Sequence, residues 1–336
     1  MVKQHSEVKA PSIHLRVKSA IGKVFNEHSY WVSFVIILII AFAVDRSFFS
    51  WGNISTIFVQ ASVTGIIALG MSMVISAGEI DISVGAQVAI ISGLSIEVLN
   101  KTNNIFTMLL FALAFGAIIG TINGLLVAFG RLPAMIATLA MQTICRSIIN
   151  HLGQGGPFTV SKENFDTFRM IAAGTLSLGS IRIPYPMIMF IVLSLLFGLI
   201  MSSTTLGKYI YAVGSNETSA RLAGINVKLI KITVFLITGV LCGFSSWLYS
   251  SRVMAVAAAS AGSAYEMDAI AAVAIGGTSM SGGRGKIIGT FLGALMFKII
   301  NVILTMADVP TFLNGAISGS IIIVAVLLQN IRNQDR

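Results

Sequence analysis

Four carboxylates in this chain stand where carboxylates are costly. Glu79 and Asp81 interrupt a long apolar run in GEIDISVG, Gly78 to Gly85, and Glu266 and Asp268 open another in YEMDAIAAVAIGG. Ionisable groups at membrane depth usually face a cavity or a partner. Gly78 and Gly85 permit a break in helical geometry, which survives there only where protein or water satisfies the backbone. Glu79, Asp81, Ser83, Glu266 and Asp268 are therefore the candidates for a polar path through the bilayer or for its gate. The plainer alternatives are a hairpin turn at GEIDISVG and, for Glu266 and Asp268, acids that sit near the free N–H groups of a helix start.

Catalytic chemistry finds little support. No HExxH is present, and none of His5, His14, His28 and His151 has a companion at metal-ligand spacing, so no metal site is expected. The glycines at 276, 277, 282, 283 and 285 invite a phosphate-loop reading that fails on spacing. Met280 stands where the first glycine belongs and Ile287 where Ser or Thr must be. GTSMS at Gly277 lacks the closing glycine of a nucleophile elbow. Cys145 and Cys242 sit in apolar runs and read as small buried hydrophobes.

A third polar stretch, TTLGKYIYAVGSNETSARLAGINVKLIK from Thr204 to Lys231, has the marks of a folded object. Asn216 can cap a short helix. Glu217 and Arg221 stand one turn apart, acid before base, which suits both the pair and the helix dipole. Gly224 supplies a left-handed ending. Such a helix, hung between two membrane spans, is shaped to press on something outside the bilayer.

The elements that must position these residues are membrane helices. The chain has 336 residues, 55% hydrophobic and 10% charged, with a mean hydropathy of +0.89. Soluble domains run nearer a quarter charged. A span needs about 20 apolar residues, which places about ten spans, near 30–48, 54–76, 83–100, 105–128, 132–151, 185–203, 229–250, 266–280, 287–306 and 312–330. The eighth is short enough to be a half-helix or re-entrant piece. Residues 1–29 form a basic cytoplasmic lead, 30–330 the transmembrane domain and 331–336 a cytoplasmic tail. Residues 13–25 within the lead could lie on the membrane as an amphipathic helix. Of the 22 Lys and Arg, fourteen fall on one side of this topology and seven on the other, with Lys298 inside a span. The positive-inside bias then puts both termini in the cytoplasm. A net charge of +9 is explained by the same bias and not by nucleic acid.

Leu152 to Tyr185 is a long outer segment. Its ENFDTFRMIAAG could be a short amphipathic helix, although a simple connection is the plainer expectation. Gly116, Gly120 and Gly124 recur every fourth residue, as do Gly285, Gly289 and Gly293. That spacing lets helix backbones approach in lipid, within the chain or against a second copy. Asn123 is placed to hydrogen-bond across helices.

Three of these passages resemble the permease subunits of ribose-type ABC importers, in the same order and over roughly Phe48 to Asn330. The family's T-x-L-G-[KR]-x-I-Y-A-x-G and G-N-E-x-x-x-R-L-x-G-I-N-V runs are matched from Thr204 to Val227, with Ser215 inserted after Gly214. Its S-G-x-D-L-S-V-G is resembled at Gly78 to Gly85, which keeps Asp81, Ser83, Val84 and Gly85 and has Ala77 before the glycine. Its Y-E-L-D-A-I-A-A-x-x-x-G-G-T-S-x-x-G-G-x-G is matched from Tyr265, with Met267 for Leu. The resemblance implies an all-α polytopic membrane protein of inverted-repeat character in the bacterial cytoplasmic (inner) membrane. It makes residues 204–228 an ATPase-coupling loop carried by Asn216, Glu217, Arg221, Leu222, Gly224 and Asn226. It also implies cytoplasmic ATPase partners that hold ATP and Mg, an extracytoplasmic solute-binding protein, and a second permease copy, while this chain binds no cofactor. The cargo implied is a small sugar. A polyol, nucleoside or furanose-like signal would suit the same fold, and an ion-coupled secondary carrier, with Glu79 and Asp81 as its donors, is the rival from another class.

Overall fold

The computed structural model describes residues 29–179 and 181–310, with positions 313, 315–317, 319–320, 323 and 327 beyond them. The expected amphipathic helix at 13–25, most of the tenth span and the tail lie outside the described residues. The chain runs as α1 (Ser29–Val44), a short 3-10 turn, α2 (Trp51–Ser76), α3 (Val84–Thr102), α4 (Ile105–Ala128) and α5 (Ala134–Gly153). Strand β1 (Pro157–Thr159), α6 (Lys162–Ala173), β2 (Thr175–Leu178) and β3 (Ile181–Pro184) follow. Then come α7 (Tyr185–Ser203), α8 (Thr205–Ser215), α9 (Glu217–Leu222), α10 (Val227–Val253), β4 (Ala255–Ala257), α11 (Tyr265–Ile275) and α12 (Ile287–Met306).

Among the described residues, α2, α4, α7, α10 and α12 are long and apolar enough to cross a membrane. This is an all-α polytopic membrane protein. Helix α2 is its axis. Every residue from Ala61 to Ala77 is buried, as a helix apolar on all sides requires in a bundle interior. Helix α4 instead turns Phe106, Leu110, Ile118, Ile122 and Leu125 outward, where lipid would meet them. The expected eighth span, 266–280, is helical only over Tyr265–Ile275. Eleven residues reach about 16 Å at 1.5 Å per residue, so it is a half-helix. It stops early because Gly276 lies against the Gly289 backbone and Gly277 takes φ +81°.

The two ends of the bundle differ. At one end β1 pairs antiparallel with β4, Phe158 opposite Val256, and β2 with β3 as a hairpin. The segment expected there as a simple connection is instead built around a docked helix. Asn164, Phe168 and Ala172, one turn apart, form the buried face of α6. The Ser251 hydroxyl of α10 donates to the Phe168 carbonyl (2.8 Å) and accepts from the Ala172 N–H (3.0 Å). The other end gathers the breaks after α2 and α11 and the helices α8 and α9.

Glycine decides how closely the long helices approach. A Cβ at Gly116 would strike the carbonyl oxygen of Gly239, one at Gly239 that of Gly116, and one at Gly120 that of Phe235. The first glycine ladder thus packs against Gly239 and Gly243 of α10 in the same chain. Gly289 and Gly293 likewise face Gly276 and Ala272. Both ladders are internal packing, and neither is free for a second copy. Gly239→Ala should therefore cost about 1–3 kcal/mol by overpacking. Gly198→Ala, whose Cβ would meet nothing within 4 Å, should be neutral or slightly stabilising. Thermal unfolding of the two variants in detergent checks this, and equal melting temperatures would contradict it.

Candidate functional site

The passage from Thr204 folds as two helices, where the sequence marked only the second. Helix α8 buries Gly207, Ile210 and Val213 and ends at Asn216. The Asn216 carboxamide oxygen then accepts from the Ser219 N–H at 2.8 Å and starts α9. At the far end the Ile225 N–H reaches the Ala220 carbonyl and the Gly224 N–H that of Arg221, both at 3.0 Å, with Gly224 at φ +83°. This is a left-handed helix ending of the Schellman type. Asn226 caps α10 by accepting from the Leu229 N–H at 3.2 Å. Two side-chain caps and one glycine leave α9 little freedom. At its tip Leu222 is 84% exposed. Arg221 pairs with Glu217 at 3.0 Å, as the i, i+4 spacing expects.

Three polar passages meet beside α9. The Gly283 N–H donates to the Ser76 carbonyl at 3.0 Å, and the Tyr211 hydroxyl to the Gly285 carbonyl at 2.7 Å. A Cβ at Gly282 would lie 2.8 Å from the Gly214 oxygen and 2.9 Å from the Gly78 Cα. One at Gly214 would run into the Ser76 oxygen. Gly214 and Gly282 thus have no room for a side chain, and Gly78, at φ +86°, lies in van der Waals contact with them. Ser215, the departure from the family pattern, packs against Gly283.

One lysine bridges the junction. Lys231 Nζ lies 2.8 Å from Glu79 Oε1 and 2.9 Å from Glu217 Oε2. The Lys231 and Glu79 side chains are 14% and 15% exposed. Glu79, a path candidate from sequence, is paired at the α9 end of the bundle. The Lys231 hydrogen bond is the main reason the Glu217 carboxyl sits below its ordinary range; partial burial opposes it, and the charges of Lys231 and Arg221 add to it. The stabilisation this represents is fully present above the unfolded carboxylate value and is lost as pH falls through the lowered one.

Asp81 has a different environment. It is fully buried, and no cation is within ion-pair distance of it among the described residues. Its Oδ1 accepts from the Ser83 N–H (2.9 Å) and hydroxyl (2.5 Å). Ser83 Oγ in turn accepts from Gln87 Nε2 (2.8 Å) and from Asn123 Nδ2 (2.9 Å). Asn123 thereby makes its cross-helix bond. The Thr138 hydroxyl of α5 accepts from the Ile82 N–H at 3.1 Å. The break from Gly78 to Ser83 is thus held by side chains from α3, α4 and α5.

Glu266 and Asp268 part company. Asp268 Oδ2 pairs with Lys298 Nζ at 3.1 Å, both side chains under a fifth exposed. This accounts for the cation inside α12. Glu266 forms no ion pair among the described residues and abuts Gly85, where a Cβ would meet its carboxylate. Arg146 nearby donates to the carbonyls of Ala258 (3.0 Å) and Ala261 (2.8 Å), holding the unwound backbone before α11. Sequence reading missed Lys231, Gln87, Thr138 and Arg146 as members of these networks. Lys231 and Arg146 carried a signal, as cations about a turn or more inside apolar helices.

The family described as the branched-chain amino acid transport system / permease component matches residues 53–326. The chain is 36% identical over 311 residues to the ribose import permease protein RbsC of Haemophilus influenzae, covering 92% of this chain and 95% of that protein. It is 35% identical over 305 residues to RbsC of Escherichia coli K12, covering 90% and 94%. The galactose/methyl galactoside import permease protein MglC of Haemophilus influenzae is 32% identical over 322 residues, covering 91% and 95%. No solved structure matches this chain. With the family model matched over residues 53–326 and these relatives over nine-tenths of the sequence, the chain belongs to the branched-chain amino acid transport system permease family.

Proposed function

We propose that this chain is the membrane-spanning permease subunit of an ATP-driven importer, and that it carries a small ribose-like sugar delivered by an extracytoplasmic binding protein. The observation that carries the mechanism is α9, a helix of six residues capped at both ends, with Leu222 84% exposed at its tip. A short rigid helix at the end of a bundle suits a groove in an ATPase. ATP and Mg sit on that separate subunit, and two copies of this chain pair across the transport path in the inner membrane. The end carrying α9 faces the cytoplasm, and the end carrying α6 and the two strand pairs receives the binding protein. ATP-driven closure of the ATPases shifts the bundle between outward-open and inward-open populations.

The path itself is assigned to Asp81, Ser83 and Glu266. Glu79 and Asp268 already spend their charge on Lys231 and Lys298. The same fact weighs against an ion-coupled carrier, because Glu79 was one of its two donors. Relatives named for ribose and for galactose favour a monosaccharide over the polyol, nucleoside or furanose-like alternatives.

Purification from the native membrane in mild detergent should yield a stoichiometric ATPase; a permease that comes alone under several mild detergents would favour the secondary carrier. Glu217→Ala with Arg221→Ala should leave the protein folded, since the exposed Arg221–Glu217 pair contributes under about 1 kcal/mol and Lys231 keeps Glu79 as a partner. ATP-driven uptake should fall on the order of tenfold, a coupling loss of ordinary size; uptake at the wild-type rate would remove α9 from the coupling role. Asp81→Ala should lower uptake and destabilise the protein by about 1–3 kcal/mol, because the buried Ser83 donors lose their acceptor. Wild-type uptake together with wild-type melting would return GEIDISVG to a plain turn.

A further inference from the structure

The break at Gly78–Ser83 touches the α8–α9 unit in two physically different ways. One is steric: a Cβ at Gly214 would strike the carbonyl oxygen of Ser76, just ahead of the break, and a Cβ at Gly282 would lie 2.9 Å from the Gly78 Cα and 2.8 Å from the Gly214 oxygen. The other is the pair of ion pairs that Lys231 makes with Glu79 and Glu217. Steric contact resists compression only; when α8 withdraws, nothing in it pulls the break along. An ammonium held by a carboxylate on each side resists separation too. The Lys231 bridge is also well placed to last, because its side chain and that of Glu79 are about 85% shielded and salt screens shielded pairs less. Glu79 is two residues from Asp81 and four from Ser83, the buried centre of the break.

We propose that Lys231 is a positioning residue that ties α9 to the Gly78–Ser83 break, so that movement of α9 in either direction is delivered to the transport path. This rests on α9 being the ATPase contact. The bridge supplies the pulling stroke and the glycine junction the pushing stroke. The Arg221–Glu217 pair, which stays within α9, supplies neither.

The test uses the complete complex, permease with ATPase and binding protein, reconstituted in vesicles, with ATP turnover and sugar uptake read together. Lys231→Ala should keep ATP hydrolysis near the wild-type rate while the sugar moved per ATP falls on the order of fivefold or more. Lys231→Arg, which can still span two carboxylates, should recover most of the ratio. The exchange Glu79→Lys with Lys231→Glu rebuilds one cation between two carboxylates and should recover part of it. Glu79→Gln, which leaves Lys231 paired with Glu217, should lower the ratio as Lys231→Ala does, and it keeps the test open if Lys231→Ala fails to fold. Wild-type sugar-to-ATP ratios in Lys231→Ala or Glu79→Gln would overturn the proposal. So would an exchange variant no better than either single change. If the wild-type chain assembles with no ATPase, the reading of the whole protein falls first; if it assembles and couples and only these variants behave as wild type, the bridge alone is refuted.

Discussion

Backbone that leaves a helix inside an apolar bundle must find its hydrogen bonds again, because no water or lipid headgroup is there to supply them. This constraint organises the structure around Gly78–Ser83. The Ile82 N–H is met by Thr138 from α5 and the Ser83 N–H by Asp81 itself. Ser83 Oγ is then enclosed by Gln87 and Asn123. The break after α11 is met in the same way, the Gly283 N–H donating to the Ser76 carbonyl and the Ser279 N–H to that of Arg284, while Arg146 collects the carbonyls of the unwound backbone before α11. Each break is therefore a shared object. Helices distant in sequence hold it, and displacing any of them exposes polar backbone.

Glycine sets the second condition. Carbonyl oxygens of α4 and α10 stand where a Cβ would otherwise be, at Gly116, Gly120, Gly239 and Gly243. With little hydrophobic drive between helices in lipid, close backbone packing carries the association. The rule repeats at the α9 end, where Gly78, Gly214 and Gly282 converge. There it brings three separate polar passages into contact.

The charges are sorted by depth and by partner. Lys298 and Asp268 cancel within the bundle, and Lys231 gathers Glu79 and Glu217 near its end. Among the described residues, Asp81 is buried with donors and no cation beside it, and Glu266 is half-buried with no ion pair. An acid kept without a counter-charge in such surroundings is costly. That is the physical ground for reading these two as working residues and the paired ones as framework.

Much of this was legible in the sequence. Apolar runs of about 20 residues mark the spans because the bilayer fixes that length, and the ends of α4, α7 and α12 coincide with the expected limits. Asn216, Glu217, Arg221 and Gly224 announced α9 because capping and i, i+4 pairing are local, decided within a few residues. Asn123 was readable as a cross-helix donor, though not its partner. The tertiary structure alone decided which distant residues meet. That Glu79 belongs to Lys231 and Asp268 to Lys298, that the first glycine ladder faces Gly239 and Gly243 of α10, and that ENFDTFRMIAAG docks through Ser251 all depend on how helices are placed in three dimensions. Periodicity fixes which face of a helix is special, but a pair separated by 30 or 152 positions leaves no local pattern in either partner. For that reason the sequence marked the acids and only the fold showed which of them are paired.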